Sequence, residues 1–167
     1  MARTLLVIDI QQEYFAGGML PLWQSEEVEA RVVVAIGKAR AAGDRVVLVQ
    51  HVSTAAVGPF LPDRPGTAIR PAILAAAGDA PVVVKHVADA FQDTDLAGHL
   101  AGNKELLVCG MMTQNCVVFT ALSRAADDYQ VKVIEDLCTA PTEIVHVVAL
   151  NALRSKTTVA SAEEAWA

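Results

Sequence analysis

The chain has 167 residues, of which 53% are hydrophobic and 19% are charged, and its formal net charge is −6. A length of this order predicts one domain, covering residues 1–167, with a full hydrophobic core. The acidic balance argues against nucleic acid as a partner, because binding to phosphates depends on a basic surface. The three cysteines are too few for a disulfide framework, and no apolar stretch reaches the roughly 18 residues of a membrane helix. We therefore expect a cytoplasmic protein with no membrane partner.

Six short apolar runs along the chain predict strands. Continuous runs rich in β-branched residues are typical of strands buried on both faces of a parallel sheet. We expect these strands at residues 5–8, 45–50, 81–84, 106–109, 131–134 and 157–160.

Helical patterns separate these runs, at residues 26–42, 95–101, 115–128 and 142–153. Ser25 is the expected N-cap of the first helix and Gly43 its C-cap. Alternating strands and helices predict an α/β fold, a three-layer α/β/α sandwich around a mostly parallel six-stranded sheet with Rossmann-like topology. Residues 52–71 are predicted to form a long loop of functional or interfacial importance.

Several common functional motifs are missing from the sequence. There is no GxGxxG, no GxxxxGK[ST] and no GxSxG, which argues against dinucleotide-binding, P-loop and nucleophile-elbow proteins. The four histidines show no ligand spacing with one another or with the cysteines. We therefore expect no cofactor.

Three reactive side chains follow predicted strands. Asp9 follows the first strand, Lys85 the third, and Cys116 lies just after the fourth. Ligands of open parallel sheets bind beyond the carboxyl ends of the strands. Each residue alone also fits a structural role, but an acid, an amine and a thiol at one edge are suited to covalent catalysis.

Cys116 has the most reactive setting of the three cysteines. It is predicted in the first turn of a helix, where free backbone N–H groups and the Lys85 ammonium would favour the thiolate. The same N–H groups could hold a developing oxyanion. Cys109 lies inside a predicted buried strand and is interpreted as a core residue, whereas Cys138 follows the fifth strand and is placed near the site.

A resemblance to a known family rests on segments that include these three residues. They read LLVIDIQQEYF, VVVKHVADAFQDTDL and VCGMMTQNCVVFTAL, and they resemble, in this order, the signature segments of the isochorismatase-like cysteine hydrolases. The stretch GPFLPDRPGTAIRPAI is similar to the Phe-Pro-Gly-Thr loop of that family. The resemblance covers the chain from the first strand to Asp136, and it implies the isochorismatase-like hydrolase fold.

The resemblance also implies a catalytic triad. Asp9 would be the general base that takes the thiol proton, Lys85 would lower the thiol pKa and orient Asp9, and Cys116 would be the nucleophile. The family carries a cis peptide bond that falls here between Met111 and Met112. The N–H groups of Met112 and Cys116 would then form the oxyanion hole.

One departure from the relatives concerns metal binding. Nicotinamidases of this superfamily carry an Asp-x-His metal motif after the second strand, and this chain reads Gln50-His51-Val52-Ser53 there. We therefore expect no metal.

The expected substrate is a small amide or ureide, cleaved at its C–N bond through a thioester. Aromatic residues in loops beside the triad segments are candidate pocket walls, and nearby polar residues are candidates for recognition. The candidates are Phe15, Trp23, Phe60 and Phe91, and Gln12, His51, His86 and Asn115. The apolar-rich, low-charge composition further predicts a homo-oligomer.

Three alternatives stay open at this point. The first is isochorismatase chemistry proper, the cleavage of a vinyl ether, which needs no acyl-enzyme. The second is a catalytically silent, oligomeric binding protein of the same fold. The third is a nucleotide-binding doubly wound domain, which the missing glycine-rich turn disfavours.

Overall fold

A computed structural model describes residues 2–167 of the chain. Within these residues six strands form one sheet in the order β3-β2-β1-β4-β5-β6, and every neighbouring pair is parallel. The strands are β1 Arg3–Ile8, β2 Arg45–His51, β3 Val82–Lys85, β4 Glu105–Met111, β5 Gln130–Thr139 and β6 Thr158–Ala160. This is the strand order of doubly wound folds. The predicted α/β/α sandwich with Rossmann-like topology is confirmed.

Helices flank the sheet, and two of them are long. The helices are α1 Ser25–Ala41, α2 Pro71–Ala77, α3 Leu96–His99, α4 Val118–Ala121, α5 Glu143–Arg154 and α6 Ala162–Ala165. Acidic residues in the first turn of α1 and basic residues in its last turn complement the helix dipole. Helix α5 begins after Thr142, whose side chain accepts a hydrogen bond from the Val145 N–H. No helix among the described residues is long and apolar enough to cross a membrane.

The start of α1 differs from the prediction. Ser25 is the first helical residue rather than the N-cap, and its hydroxyl donates to the Glu26 carboxylate 2.9 Å away. The N-cap is Gln24, which has a left-handed backbone and makes no side-chain cap. At the other end Ala42 is the C-cap, and Gly43 follows with φ +78°. Glycine takes this conformation without a steric cost.

Three other boundaries were predicted wrongly. The helix expected over 115–128 ends at Ala121, and a separate 3₁₀ turn at Arg124–Ala126 follows. Helix α2 was not predicted: it begins at Pro71, the last residue of the expected long loop, and its proline is at the first helical position, where no N–H is needed. Strand β5 runs on to Thr139, because Cys138 and Thr139 pair with the end of β4 again after a register shift between Val108 and Gly110. Cys138 therefore lies inside a strand.

Gly110 lets the two central strands approach each other where they reach the site. It pairs with Ile8, and a Cβ added to Gly110 would lie 2.0 Å from the Ile8 carbonyl oxygen. Its φ of +121° is also a conformation that side-chain-bearing residues rarely adopt. The glycine thus lets the ends of β1 and β4 approach closely at Ile8, the residue that precedes Asp9.

Candidate active site

The carboxyl ends of three strands bring the predicted triad residues together. Asp9 follows β1 and donates its backbone N–H to the Val49 carbonyl oxygen at 3.1 Å. Lys85 is the last residue of β3. Cys116 lies in a π-helical turn, Thr113–Val117, that leads from β4 into α4. The Asp9 and Lys85 side chains are fully buried, and Cys116 is 4% exposed.

Lys85 is the centre of this cluster. Its Nζ lies 2.8 Å from Asp9 Oδ2 and 3.3 Å from Cys116 Sγ. The same nitrogen donates to the Val87 carbonyl oxygen at 3.0 Å and lies 3.2 Å from His51 Nδ1. One ammonium therefore contacts the acid and the thiol at once.

Burial and ion pairing shift the pKa values of Asp9 and Lys85 in opposite directions. Burial raises the pKa of the Asp9 carboxyl, although the charge and hydrogen bond of Lys85 lower it. Burial also disfavours the Lys85 ammonium, but Asp9 and Cys116 together outweigh that effect and leave its pKa raised. Lys85 therefore stays a cation, while Asp9 is a stronger proton acceptor than an exposed aspartate.

The Cys116 thiol is protonated in the resting site. Burial, followed by the Asp9 charge, raises its pKa to about 12, and Lys85 only partly opposes them. Lys85 thus lowers the thiol pKa, as expected, but burial and Asp9 outweigh it in the resting site. A base would have to remove the thiol proton before the sulfur could act as a nucleophile, and Asp9 is the carboxylate paired with the same lysine.

The backbone before Cys116 has the form that the resemblance implies. The Met111–Met112 peptide bond is cis. Among the described residues the Met112 N–H donates no hydrogen bond to the protein. Behind the turn, the Thr113 hydroxyl lies 2.8 Å from Nδ1 of the buried His146 on α5. The contact between Thr113 and His146 thus anchors the turn to α5. An oxyanion hole formed by the N–H groups of Met112 and Cys116 stays a prediction.

Gln11 supports the site and was missed from the sequence. It is fully buried, and its side chain pairs with both backbone groups of His51. Its Oε1 accepts the His51 N–H at 2.8 Å, and its Nε2 donates to the His51 and Thr67 carbonyl oxygens at 2.9 and 2.6 Å. The available signal was a polar residue two positions after Asp9, but Gln12 and Glu13 follow it directly and are polar too.

Tyr14 was also missed from the sequence. It is buried, and its ring lies edge-on to Phe60 with 5.0 Å between centroids. Burial, followed by the charges of Asp9 and Cys116, raises the phenol pKa, so the hydroxyl stays neutral. A neutral phenol adds a hydrogen-bond donor without adding charge.

The aromatic side chains that were predicted to line one substrate pocket pack in separate places. The Phe15 ring is buried beneath the Arg70 guanidinium, whose Cζ lies 4.0 Å from the ring centroid. Trp23 packs against His146 at 5.9 Å, and Phe91 stacks on Tyr129 at 6.2 Å.

Phe60 is the aromatic candidate that joins the triad region. Its ring lies 5.5 Å from the His51 ring in an edge-on arrangement. His51 in turn contacts Lys85. Phe60 is thus connected to Lys85 indirectly, through its contact with His51.

The other polar candidates make contacts outside the triad. Gln12 Oε1 accepts a hydrogen bond from Arg70 at 2.6 Å. His86 is exposed and donates from Nδ1 to the Val52 carbonyl oxygen, 2.8 Å away. Asn115 is half-buried in the turn beside Cys116.

A groove of about 690 Å³ lies between the segments 12–19 and 56–66, and Gln12 is one of its walls. The triad residues do not line it. The side chains of Asp9, Lys85 and Cys116 are almost completely covered in this structure.

Comparisons with known proteins agree on one family. The isochorismatase domain model matches residues 3–164. YddQ of Bacillus subtilis, an uncharacterised isochorismatase family protein, is 32% identical over 179 residues that span 99% of each chain. A crystal structure from Oleispira antarctica, assigned to the isochorismatase hydrolases, is 34% identical, covers 99% of this chain and 96% of its own, and has a TM-score of 0.88.

A more distant structure shares the fold. The pyrazinamidase of Pyrococcus horikoshii, solved in complex with zinc, is 23% identical, with a TM-score of 0.82 over 96% of this chain and 99% of its own. No group of three or more His, Cys, Asp or Glu among residues 2–167 is placed to hold a metal ion here. His51 directs Nδ1 at the Lys85 ammonium, which would repel a metal cation bound there. The residues present therefore do not fit such a zinc.

Proposed function

The chain belongs to the isochorismatase family of hydrolases, and from this we propose that it hydrolyses the C–N bond of a small amide or ureide through a Cys116 thioester. The observation that carries the proposal is the Lys85 ammonium, 2.8 Å from the Asp9 carboxylate and 3.3 Å from the Cys116 sulfur. A base, a cation and a nucleophile within contact of one another are what covalent acyl transfer requires.

The first half of the reaction makes the thioester. Asp9 takes the thiol proton, and the Cys116 sulfur forms a bond to the substrate carbonyl carbon. The oxyanion accepts hydrogen bonds from the Met112 and Cys116 N–H groups. The protonated Asp9 then gives its proton to the nitrogen, the C–N bond breaks, and ammonia or an amine leaves.

The second half returns the enzyme to its starting state. Asp9, again a carboxylate, takes a proton from water as the water oxygen attacks the thioester carbonyl carbon. The C–S bond then breaks, and the proton on Asp9 returns to the Cys116 sulfur. Lys85 keeps its proton throughout, because its partners raise its pKa. Its role is to stabilise the sulfur anion and orient the carboxylate.

The buried charges of this site are already paired, since Asp9 and Lys85 form an ion pair. The Tyr14 hydroxyl and the Met112 N–H, which make no hydrogen bond within residues 2–167, are neutral. A small uncharged amide or ureide suits this arrangement.

The homo-oligomer expected from the composition stays a prediction.

Ammonia release from a panel of small amides, ureides and carbamoyl compounds tests this function. The wild type should release ammonia from at least one compound, and Cys116→Ala should abolish that release. Cys138→Ala is the matched control, because Cys138 is an equally buried thiol inside β5. No ammonia from any compound, or unchanged release by Cys116→Ala, would contradict the proposal and favour vinyl-ether cleavage or a binding role.

A further inference from the structure

The Thr113 hydroxyl has one acceptor for its hydrogen. The residue is completely buried at the start of the turn Thr113–Val117. Nδ1 of His146 lies 2.8 Å from the hydroxyl oxygen and is its only hydrogen-bond partner among residues 2–167. A buried hydroxyl without an acceptor is costly, so its hydrogen points at Nδ1. Thr113 therefore donates this hydrogen bond, and His146 accepts it.

The His146 ring is in the form that this bond requires. A ring that accepts at Nδ1 is neutral and carries its proton on Nε2. Burial lowers the pKa of His146, and the charges of Arg154 and Arg31 act in the same direction. The charges of Glu135 and Glu143 oppose this shift of the pKa but do not reverse it. The ring is therefore neutral at neutral pH.

Trp23 holds the His146 ring in turn. The two ring centroids are 5.9 Å apart, and the rings are tilted by 44°. The Trp23 backbone is tied to the end of β5, because its N–H donates to the Ala140 carbonyl oxygen at 3.1 Å. Its carbonyl oxygen accepts the Thr139 hydroxyl. His146 is thus placed both by its own helix and by a tryptophan bonded to the sheet.

The turn that Thr113 begins carries the two N–H groups of the predicted oxyanion hole. Thr113 follows Met112 directly and lies three residues before Cys116. The Met112 carbonyl oxygen accepts the N–H groups of Asn115 and Val117 at 3.1 and 3.3 Å, which bonds Met112 to the turn. Oxyanion stabilisation depends on donors that are fixed before the reaction begins. A buried anchor on the turn provides this.

We propose that His146 is a positioning residue, which holds the N–H groups of Met112 and Cys116 in place by accepting the hydrogen bond of Thr113. Among the described residues His146 makes no hydrogen bond to the triad, so it acts through the turn. This inference rests on the proposed function in one respect, namely that an oxyanion forms beside these N–H groups.

The test removes either partner of this hydrogen bond. Thr113→Val lacks the hydroxyl and His146→Leu lacks the acceptor. Each should lower kcat for ammonia release by about 10- to 100-fold and leave KM within about twofold. The double variant should lose no more than the weaker single variant, because both changes affect one bond. His146→Asn, whose amide oxygen takes the place of Nδ1, should keep kcat within about threefold of the wild type.

Thr120→Val is the matched control. Thr120 is as buried as Thr113 but lies on α4, and its hydroxyl oxygen accepts the Ala90 N–H at 3.0 Å. The variant also removes one hydrogen bond from a buried threonine and leaves the anchor of the turn unchanged. Its kcat should stay within about twofold. A loss as large as that of Thr113→Val would overturn the inference.

Amide hydrogen exchange measures the turn without using activity. Mass spectrometry on peptides that cover residues 111–117 should show exchange about tenfold faster in Thr113→Val and His146→Leu. His146→Asn and Thr120→Val should exchange as the wild type does. Unchanged exchange in the first two variants contradicts the proposal.

Other outcomes also contradict it. Losses of kcat that multiply in the double variant would show that the two side chains act independently. A His146→Asn variant as impaired as His146→Leu would point to packing of the ring instead. Should the variants fail to fold, the wild-type ring decides, because ¹⁵N NMR must find the proton of His146 on Nε2. A proton on Nδ1 excludes the proposed acceptor.

Failure of this inference is distinguishable from failure of the proposed function. If no compound releases ammonia but exchange in the turn responds as described, the proposed reaction fails and the anchoring role of His146 stands. If ammonia release depends on Cys116 but is unchanged in Thr113→Val and His146→Leu, the proposed reaction stands and the role of His146 fails.

Discussion

Two regions of this molecule bury cysteines, and they differ in what surrounds the sulfur. At the carboxyl edge of the sheet, Cys116 lies against the Lys85 ammonium. Within the sheet, Cys109 on β4 and Cys138 on β5 are buried, and the Cys138 thiol donates to the Ile134 carbonyl oxygen at 3.3 Å. Burial is the main cause of the raised pKa of all three thiols, and it brings both Cys116 and Cys138 to about 12.

Burial alone therefore does not decide whether a cysteine can act as a nucleophile. Cys116 and Cys138 share the same resting protonation, yet only the Cys116 proton has a paired carboxylate acceptor close by, and only its anion has a cation beside it. We therefore propose that the reactivity of Cys116 depends on Asp9 and Lys85, and the following predictions test that dependence.

The largest expected effect follows from Cys116→Ser. A serine hydroxyl is a far weaker acid than a thiol, so amide hydrolysis should fall by at least about 10³-fold in kcat/KM. Steady-state ammonia release on the active compound measures this. A serine variant that keeps most of its activity would show that the chemistry needs no acyl-enzyme, as expected of vinyl-ether cleavage.

Asp9→Asn removes the proton acceptor and keeps its shape. Loss of a general base costs about 10²–10⁴-fold, so kcat should fall within that range. Asp44→Asn is the matched control, because Asp44 also pairs with a cation, Arg3 at 2.8 Å, but outside the site. If both variants lose activity equally, the loss does not come from proton transfer.

Lys85→Met should act on stability as well as on activity. It leaves the buried Asp9 carboxylate without its cation, and breaking a buried pair costs about 3–5 kcal/mol in the free energy of unfolding. The double variant Asp9→Asn/Lys85→Met removes both charges and should recover part of this loss. Urea denaturation of the four proteins measures the coupling, and purely additive losses would show that the two groups do not interact.

The acid limb of activity should follow Asp9. The base is the carboxylate, which is populated above its pKa, and that pKa is raised by burial from the ordinary value of 3.8. Thus kcat/KM should fall as pH decreases through a midpoint above 3.8, by about tenfold per unit below it. A rate that is constant down to pH 3.8 would exclude Asp9 as the base.

The smallest effect is expected from Cys138→Ala. Its side chain contacts no triad residue and is held inside β5, so activity should stay within about twofold while the free energy of unfolding falls by about 1 kcal/mol. Ammonia release and urea denaturation on the same preparation check both. A large loss of activity with intact stability would remove the distinction between the two regions.

The sequence predicted the backbone of this site well, because strands and their ends leave local signals. The apolar runs ending at Asp9 and Lys85, and the turn after β4, were visible as patterns. The boundaries of β5 and of the helix after Cys116 were not, since the β4–β5 register shift and the break before Arg124 depend on tertiary pairing.

The net shift of the Cys116 thiol pKa could not be predicted from the sequence. Local sequence showed a helix start and a lysine, which favour a thiolate, but not the complete burial of Asp9 and Lys85. Gln11 contacts His51, 40 residues further along the chain, and His51 contacts Lys85, 34 residues beyond it. Such contacts have no local signature, and the aromatic candidates Phe15 and Phe91 could not be separated from packing residues for the same reason.

The most direct test of the account is whether an acyl group resides on Cys116. Hydroxylamine, added during turnover of the active compound, competes with water for a thioester and converts its acyl group to a hydroxamate, or to a hydroxyurea from a ureide. The account predicts that this product forms with the wild type in proportion to hydroxylamine and is absent with Cys116→Ala. Turnover of the compound with no such product at any hydroxylamine concentration would contradict a Cys116 thioester.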